Sequence, residues 1–360
     1  MLITKDLLIK MVFAVGVAFI IANLITPLVM KLAKRIGAID MPDNERHIHK
    51  KPTPRMGGLA IFLGFVFSVL VFADVTAEVR GILVGAIIIV TVGAIDDVVN
   101  LNAWIKFIVQ IVAAVVAVLS GVVIHVLSNP LAISGGQAMV IGALAVPVTI
   151  LWIVGVTNSV NLIDGLDGLA CGVSTIGALS MLVVSLLVPD GDSNVAVLLA
   201  CLVGGCLGFL PYNIHPAKTF MGDTGALMLG YVMATVSVIG MFKFSAIVTF
   251  ILPILALAVP LTDTVFAFTR RILNGESPFH ADRAHLHHRL LDMGFNQKQV
   301  VAVLYAASAV LGLCAVIITT TGLARTIIAL VALLIAFCVG LFVHHHKTHP
   351  HTEEKTDEEN

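Results

Sequence analysis

Charge is scarce in this sequence. Asp, Glu, Lys and Arg make up 12% of its 360 residues, against 58% hydrophobic, about half the charged fraction of an ordinary soluble domain. With a mean hydropathy of +1.03, the chain cannot hide its apolar surface inside one water-facing globule. Cysteine is scarcer still. All five (Cys171, Cys201, Cys206, Cys314 and Cys338) fall inside apolar runs, which argues against a disulfide framework and reads them as small hydrophobic fillers. The first apolar run, 7–30, is too long for a signal-peptide core and shows no small-residue cleavage site, so a retained first span is expected. Internal repeats are lacking too, and transporters with midplane sites are commonly built from such repeats.

What is abundant is apolar runs of about 20 residues, the length that crosses a bilayer as a helix. Eleven spans fit, at about 7–30, 57–73, 80–95, 105–125, 138–156, 169–188, 195–211, 225–241, 244–266, 300–319 and 325–343. The expected fold is an all-α, polytopic integral membrane bundle. Residues 1–343 form one membrane unit, and the tail HHHKTHPHTEEKTDEEN (344–360) reads as disordered. Alternating the connections between two sides places 16 of the 21 Lys and Arg residues on one of them. Positive charge stays inside, so the N-terminus is expected outside, the C-terminus inside, and the protein in the plasma membrane.

The same alternation gathers the unusual polar clusters on the cytoplasmic face. Asp96 and Asp97 close the third span, where carboxylates oppose the helix dipole; a capping loop and a cation-binding acidic pair both account for them. In NSVNLIDGLDG, Asn158, Asn161, Asp164 and Asp167 recur every third residue, neighbours on a helix surface. Oxygen-only side chains at this spacing suit a hard cation, Mg²⁺ or Mn²⁺, over zinc, whereas a solvated loop with cap aspartates is the plainer alternative. Asp223, in NIHPAKTFMGDTG, precedes the eighth span as an N-cap or a phosphate-facing group. Lys218 and Phe220 beside it offer a phosphate contact and a stacking face.

In HADRAHLHHRLL, His285 and His288 stand one turn apart with His287 between them, and no third zinc-type ligand follows. Arg283 and Arg289 add fixed positive charge with bidentate capacity for phosphate. Lys50, Lys51 and Arg55 in HIHKKPTPRMGG carry a topology signal and supply further cations at a shaped loop. Carboxylates and amides for a hard metal, ringed by basic groups, form the equipment of phosphoryl transfer, in which positioning and charge neutralisation do most of the catalysis. The membrane setting implies a lipid substrate. A lipid phosphate monoester, with a second pKa of about 6, is already mostly dianionic at neutral pH; repulsion between anions is then its main obstacle.

Five blocks carry a resemblance: HKKPTPRMGG, IDDVVN, NSVNLIDGLDGLA, PYNIHPAKTFMGDTG and RAHLHHRLL, spread over residues 49–291. Together they resemble the polyprenyl-phosphate N-acetylhexosamine-1-phosphate transferase family. The resemblance implies transfer of a sugar 1-phosphate from a UDP-sugar to a polyprenyl phosphate with release of UMP, using Mg²⁺ or Mn²⁺. It matches Asp96 and Asp97 to acids of metal handling and catalysis, Asn161 and Asp164 to site residues at the metal, and Asp223 to a metal ligand. It places Asn213, Asp167 and Phe220 in a uridine pocket and His285, His287 and His288 near the nucleotide and its phosphates. Asn158, Lys50, Lys51, Arg55, Lys218 and Arg283 complete the expected substrate contacts. Two branches of the family differ in donor. HLHH followed by Arg-Leu-Leu, Arg55 before Met56 and an eleventh span resemble the branch that transfers N-acetylglucosamine 1-phosphate, which serves teichoic acid or surface-polysaccharide synthesis, rather than phospho-MurNAc-pentapeptide. Many relatives carry an acid or Lys where this chain has Asn100, which leaves that position's role open. No nucleic-acid partner is expected, and homodimerisation is left open. A secondary transporter is the alternative of another class. Asp263, within the ninth span, is its best residue, although pairing with Arg270 or Arg271 explains that acid as well.

Overall fold

The computed structural model describes residues 4–41, 52–124, 126–127, 139–140, 142–188, 191–240, 253–273 and 286–348. Its helices are α1 (Lys5–Ile36), α2 (Gly58–Phe72), α3 (Ala77–Val99), α4 (Ala103–Leu119), α5 (Ala145–Leu162), α6 (Leu169–Leu187), α7 (Ser193–Asn213), α8 (Gly222–Gly240), α9 (Ala258–Leu273), α10 (Leu286–Asp292), α11 (Gln297–Thr319) and α12 (Gly322–Thr348). Among the described residues, extended structure is confined to short stretches. β1 (Ile39–Asp40) pairs antiparallel with β2 (Thr53–Pro54), and β3 (Val126–Leu127) with β4 (Met139–Val140).

Eight of these helices are long and apolar enough to cross a bilayer, while α2 and α4 are apolar but shorter. This is a multi-pass, all-helical membrane protein. The spans expected near 57–73 and 105–125 correspond to α2 and α4, cut to 15 and 17 residues. The ninth expected span, 244–266, lies partly outside the described residues, and its described part, 253–266, includes the start of α9, which runs on to Leu273. Helix α12 carries helical backbone as far as Thr348, past the expected end of the membrane unit at 343. The rest of the expected tail, 349–360, lies outside the described residues.

Polar residues mark the helix ends. Thr4 accepts from the Leu7 N–H at 3.2 Å to start α1, which Gly37 closes in the left-handed region. Asn296 and Gln299 form a reciprocal capping box at α11. Helix α8 is the hub, packed by α2, α3, α5, α6 and α7 and buried at every residue from Thr224 to Gly240. A helix apolar on all sides belongs in such a position. At the other extreme, α12 turns Leu323, Leu330, Leu333 and Phe337 outward, as a lipid-facing helix does.

Small residues allow α8 its close contacts, the usual device where both lipid and protein are apolar. A Cβ on Gly58 of α2 would lie 2.0 Å from the Gly225 Cα, and one on Gly93 of α3 would lie 2.6 Å from the Thr224 Cα. Both obstacles are backbone, which no rotamer change removes. Gly58→Ala is therefore expected to destabilise the protein by about 1–3 kcal/mol, read as a lower unfolding temperature in detergent. An unchanged midpoint would mean that α2 and α8 separate freely.

Candidate active site

The α8 N-terminus is held by an acid from another helix. In the last turn of α3, the fully buried Asp97 side chain accepts the Asp223 N–H at 3.0 Å on Oδ1. Its Oδ2 accepts the Thr224 N–H at 3.2 Å and the Thr224 hydroxyl at 2.6 Å. Arg55 Nε donates to Oδ1 at 3.2 Å. The unfavourable place of Asp97 at the end of its own helix is thus offset by capping the positive end of α8 in trans. Gly222, at φ 70°, makes the turn that allows this; a Cβ there would meet the carboxylate oxygens at 2.4 and 2.6 Å. Burial works against the Arg55 charge, but Asp97, with Asp223 and Asp40 beyond it, outweighs burial and holds the guanidinium above its ordinary pKa.

Asp96 points to a second group. Its Oδ1 accepts the Leu101 N–H at 2.7 Å, and Oδ2 accepts from Lys106 Nζ at 3.3 Å. Lys106, on α4, also donates to Asp223 Oδ2 at 2.7 Å, and Asn161 Nδ2 donates to Asp223 Oδ1 at 3.0 Å. One ammonium therefore joins the ends of α3 and α8. Asn100 serves the backbone. It is the α3 C-cap, at φ 51°, and its N–H returns to the Asp96 carbonyl at 2.9 Å. Asparagine tolerates this left-handed geometry better than most residues.

The period-three residues of NSVNLIDGLDG have separate partners. Asn158 forms an amide pair with the buried Gln110 of α4, and also donates to the Val154 carbonyl at 2.8 Å. Asn161 reaches Asp223. Asp167 Oδ2 accepts from His215 Nδ1 at 2.7 Å and from the Ala217 N–H at 3.1 Å. Asp164 makes no side-chain hydrogen bond among the described residues. Although part of its surface is reachable, the carboxyl is surrounded closely enough that burial, followed by the charges of Asp223 and Asp97, pushes its pKa up to about 8; Arg55 opposes this only in part. An acid so placed favours a proton or another cation.

The loop bearing Asp164 is also held from the other side. A Cβ on Gly165 would lie 2.4 Å from His287 Nε2, so the buried His287 of α10 packs directly on that glycine. Its ring centroid lies 4.3 Å from that of His288. The Tyr305 hydroxyl of α11 donates to the Gly168 carbonyl at 2.6 Å. Asp263 of α9 accepts the Leu286 N–H at 2.7 Å, which ties that acid to the start of α10.

The segment Asn213–Met221 completes the rim. Asn213 Nδ2 donates to the Thr219 carbonyl at 3.1 Å. Phe220 donates its N–H to the Pro54 carbonyl at 2.8 Å and accepts from the Gly57 N–H at 2.9 Å, which fastens the Arg55 strip beside α8. Exposed Lys218 lies 5.8 Å over the Tyr212 ring. Lys50, Lys51, Arg283 and His285 lie outside the described residues.

The structure thus gathers Arg55, Asp96, Asp97, Asn161, Asp164 and Asp223 at one end of the bundle, with Asp167 and His287 around the same loop. It takes Asn158 and Asn213 into protein hydrogen bonds. Sequence reasoning missed Lys106, counted there only as a topology charge, and with it Gln110, His215 and Thr224. Lys106 and Gln110 had a signal: they are the polar interruptions of AWIKFIVQIVAAVV, one turn apart on one face.

Acids, amides and cations converge here at the end of an apolar bundle, an arrangement suited to binding charged groups beside a membrane. The chain belongs to glycosyl transferase family 4, whose model matches residues 79–241. The probable undecaprenyl-phosphate N-acetylglucosaminyl 1-phosphate transferase of Bacillus subtilis is 41% identical over 86% of each chain. The decaprenyl-phosphate N-acetylglucosaminephosphotransferase of Mycobacterium tuberculosis is 38% identical over 80% of this chain and 77% of its own. The phospho-N-acetylmuramoyl-pentapeptide-transferase of Heliobacterium modesticaldum is 34% identical over 83% and 94%.

Proposed function

We propose that this chain transfers N-acetylglucosamine 1-phosphate from UDP-GlcNAc to a polyprenyl phosphate such as undecaprenyl phosphate. An oxygen of the lipid phosphate attacks the sugar-bearing phosphorus. The bond to the bridging oxygen breaks, UMP leaves with that oxygen, and polyprenyl-diphosphate-GlcNAc remains. The observation that carries the reading is Asp164, an unengaged acid held beside Asp223 and Asp97 at the bundle end. The higher identity to the two N-acetylglucosamine enzymes favours that donor over the pentapeptide one. With α2, α4 and α9 counted as crossings beside the eight longer helices, the chain makes eleven passes, with the site facing the cytoplasm and residues 1–343 as one catalytic unit.

The donor set fits Mg²⁺ or Mn²⁺. Among the described residues no three His, Cys, Asp or Glu side chains are placed to hold a metal by themselves, and Mg²⁺ characteristically uses one or two carboxylates, water and substrate phosphates. Asp164 and Asp223, with Asn161, would hold it. When bound, the ion neutralises charge on the diphosphate. Arg55 and Lys106 add fixed positive charge, which lowers the repulsion between donor and acceptor anions. Asp97 sets the position of Asp223 by holding the start of α8. Asp96 fixes Lys106, and His287 and His288 border the loop on which Asp164 sits. Asp167, Phe220 and Lys218 line the nucleotide side.

The test uses purified protein, undecaprenyl phosphate and labelled UDP-GlcNAc or labelled UDP-MurNAc-pentapeptide. Label is expected in the lipid phase from UDP-GlcNAc, with stoichiometric UMP, and EDTA is expected to abolish it. Labelling from the pentapeptide donor alone would overturn the donor. Solute flux in proteoliposomes without UMP release would overturn the enzyme class.

A further inference from the structure

We infer that His215 is a positioning residue that fixes the spacing between Asp164 and Asp223 by pinning Asp167; the inference rests on the proposed metal-holding role of those two acids. The geometry is a two-point bracket. Asp164 stands three residues after Asn161 and three before Asp167. Each neighbour is tied to the segment that ends at Asp223. On one side Asn161 Nδ2 donates to Asp223 Oδ1 at 3.0 Å. On the other, Asp167 Oδ2 accepts His215 Nδ1–H at 2.7 Å and the Ala217 N–H at 3.1 Å. The middle residue is left without a side-chain partner among the described residues.

The recurrence of polar residues every third position therefore divides the labour: the flanking residues are anchors, and the central acid is kept available. Without the Asp167 anchor, Asn161 alone would tie the loop 163–168 to the 213–223 segment, while His287 and Tyr305 bear on its other side, and Asp164 would change its distance to Asp223. An ionised carboxylate only accepts, so the ring nitrogen facing Asp167 must carry a hydrogen. The His215 side chain is 37% exposed, so the contact forms at the solvent edge, where the ring contributes little apolar burial. Its contribution is orientation.

The experiment is a Mn²⁺ titration of the purified full chain, followed by loss of the free-ion EPR signal, for wild type, His215→Phe, His215→Ala and His215→Asn. Phenylalanine keeps the ring and removes the donor; alanine removes both. Asparagine places an amide N–H near the position of Nδ1. The expected result is Mn²⁺ affinity weakened by about tenfold in the Phe and Ala variants, the size seen when a supporting partner of a metal ligand is lost, and largely restored in the Asn variant. The Mg²⁺ concentration for half-maximal transfer should rise in parallel. Mn²⁺ affinity unchanged in Phe and Ala, with wild type binding normally, would overturn the role of His215 and leave the proposed function standing. A lower unfolding temperature with unaltered affinity would reduce His215 to a structural contact, and also overturn the inference. Absence of Mn²⁺ binding by wild type would instead remove the metal reading itself, and the inference with it.

Discussion

Asp164→Asn is expected to cut transfer by about three orders of magnitude, the scale on which removal of a charge-stabilising group acts, while raising the unfolding temperature of the same protein. The two effects share a cause. Asp164 is an acid with no hydrogen-bond partner among the described residues, held among other acids, with its pKa pushed up to about 8 from an ordinary value of 3.8. Because the folded-state pKa lies above the unfolded one, the native chain holds a proton there that the unfolded chain has already lost. Stability from this group is complete below about pH 4 and declines as pH rises towards 8. Asparagine has no charge to desolvate, so the variant's unfolding temperature should change less between pH 5 and 8. A divalent ion competes with that same proton, so wild-type metal affinity should rise over the window and level off above pH 8. Thermal unfolding across pH, with and without Mg²⁺, checks both signs. A variant less stable than wild type at pH 8 would mean that Asp164 is a structural acid.

Asp97→Asn is expected to fail in the opposite way, with activity and stability lost together. Both Asp97 oxygens accept from donors on the start of α8, and one also receives the Arg55 guanidinium. An amide replaces one acceptor with a donor facing other donors. Arg55 would lose its buried counter-charge. Removing one partner of a buried pair costs about 3–5 kcal/mol, and the displaced α8 end would carry Asp223 away from Asn161 and Lys106. Excess Mn²⁺ should not restore transfer, because the defect lies in helix placement. Full restoration by metal would instead identify Asp97 as a direct ligand.

These two residues show which parts of the protein its sequence discloses. The apolar runs disclose the helices, since a bilayer demands length and hydropathy that one-dimensional inspection can measure. They do so less well at α4, which ends at Leu119 before the apolar run does. Blocks of polar residues between the apolar runs disclosed where the site lies and most of its acids. What remained hidden was which acid serves which partner. Asp96 and Asp97 are adjacent in sequence, yet successive helical residues point about 100° apart, one towards Lys106 and the other to the α8 end. Asn158 had the same spacing as its three neighbours, but its partner Gln110 lies 48 positions away. Asn100 invited a side-chain role in the sequence, whereas what it supplies is a backbone angle. No periodicity can reveal a cap supplied from another helix.

Lys106 has a consequence for the life of the protein before catalysis. With its ammonium 3.3 Å from Asp96 and 2.7 Å from Asp223, the chain carries a resident counter-ion. One ammonium offsets part of the repulsion between these two acids from within the chain, so folding is expected to proceed without a divalent ion. On the proposed metal-dependent reading, EDTA is expected to stop transfer while the amount of folded protein stays unaltered.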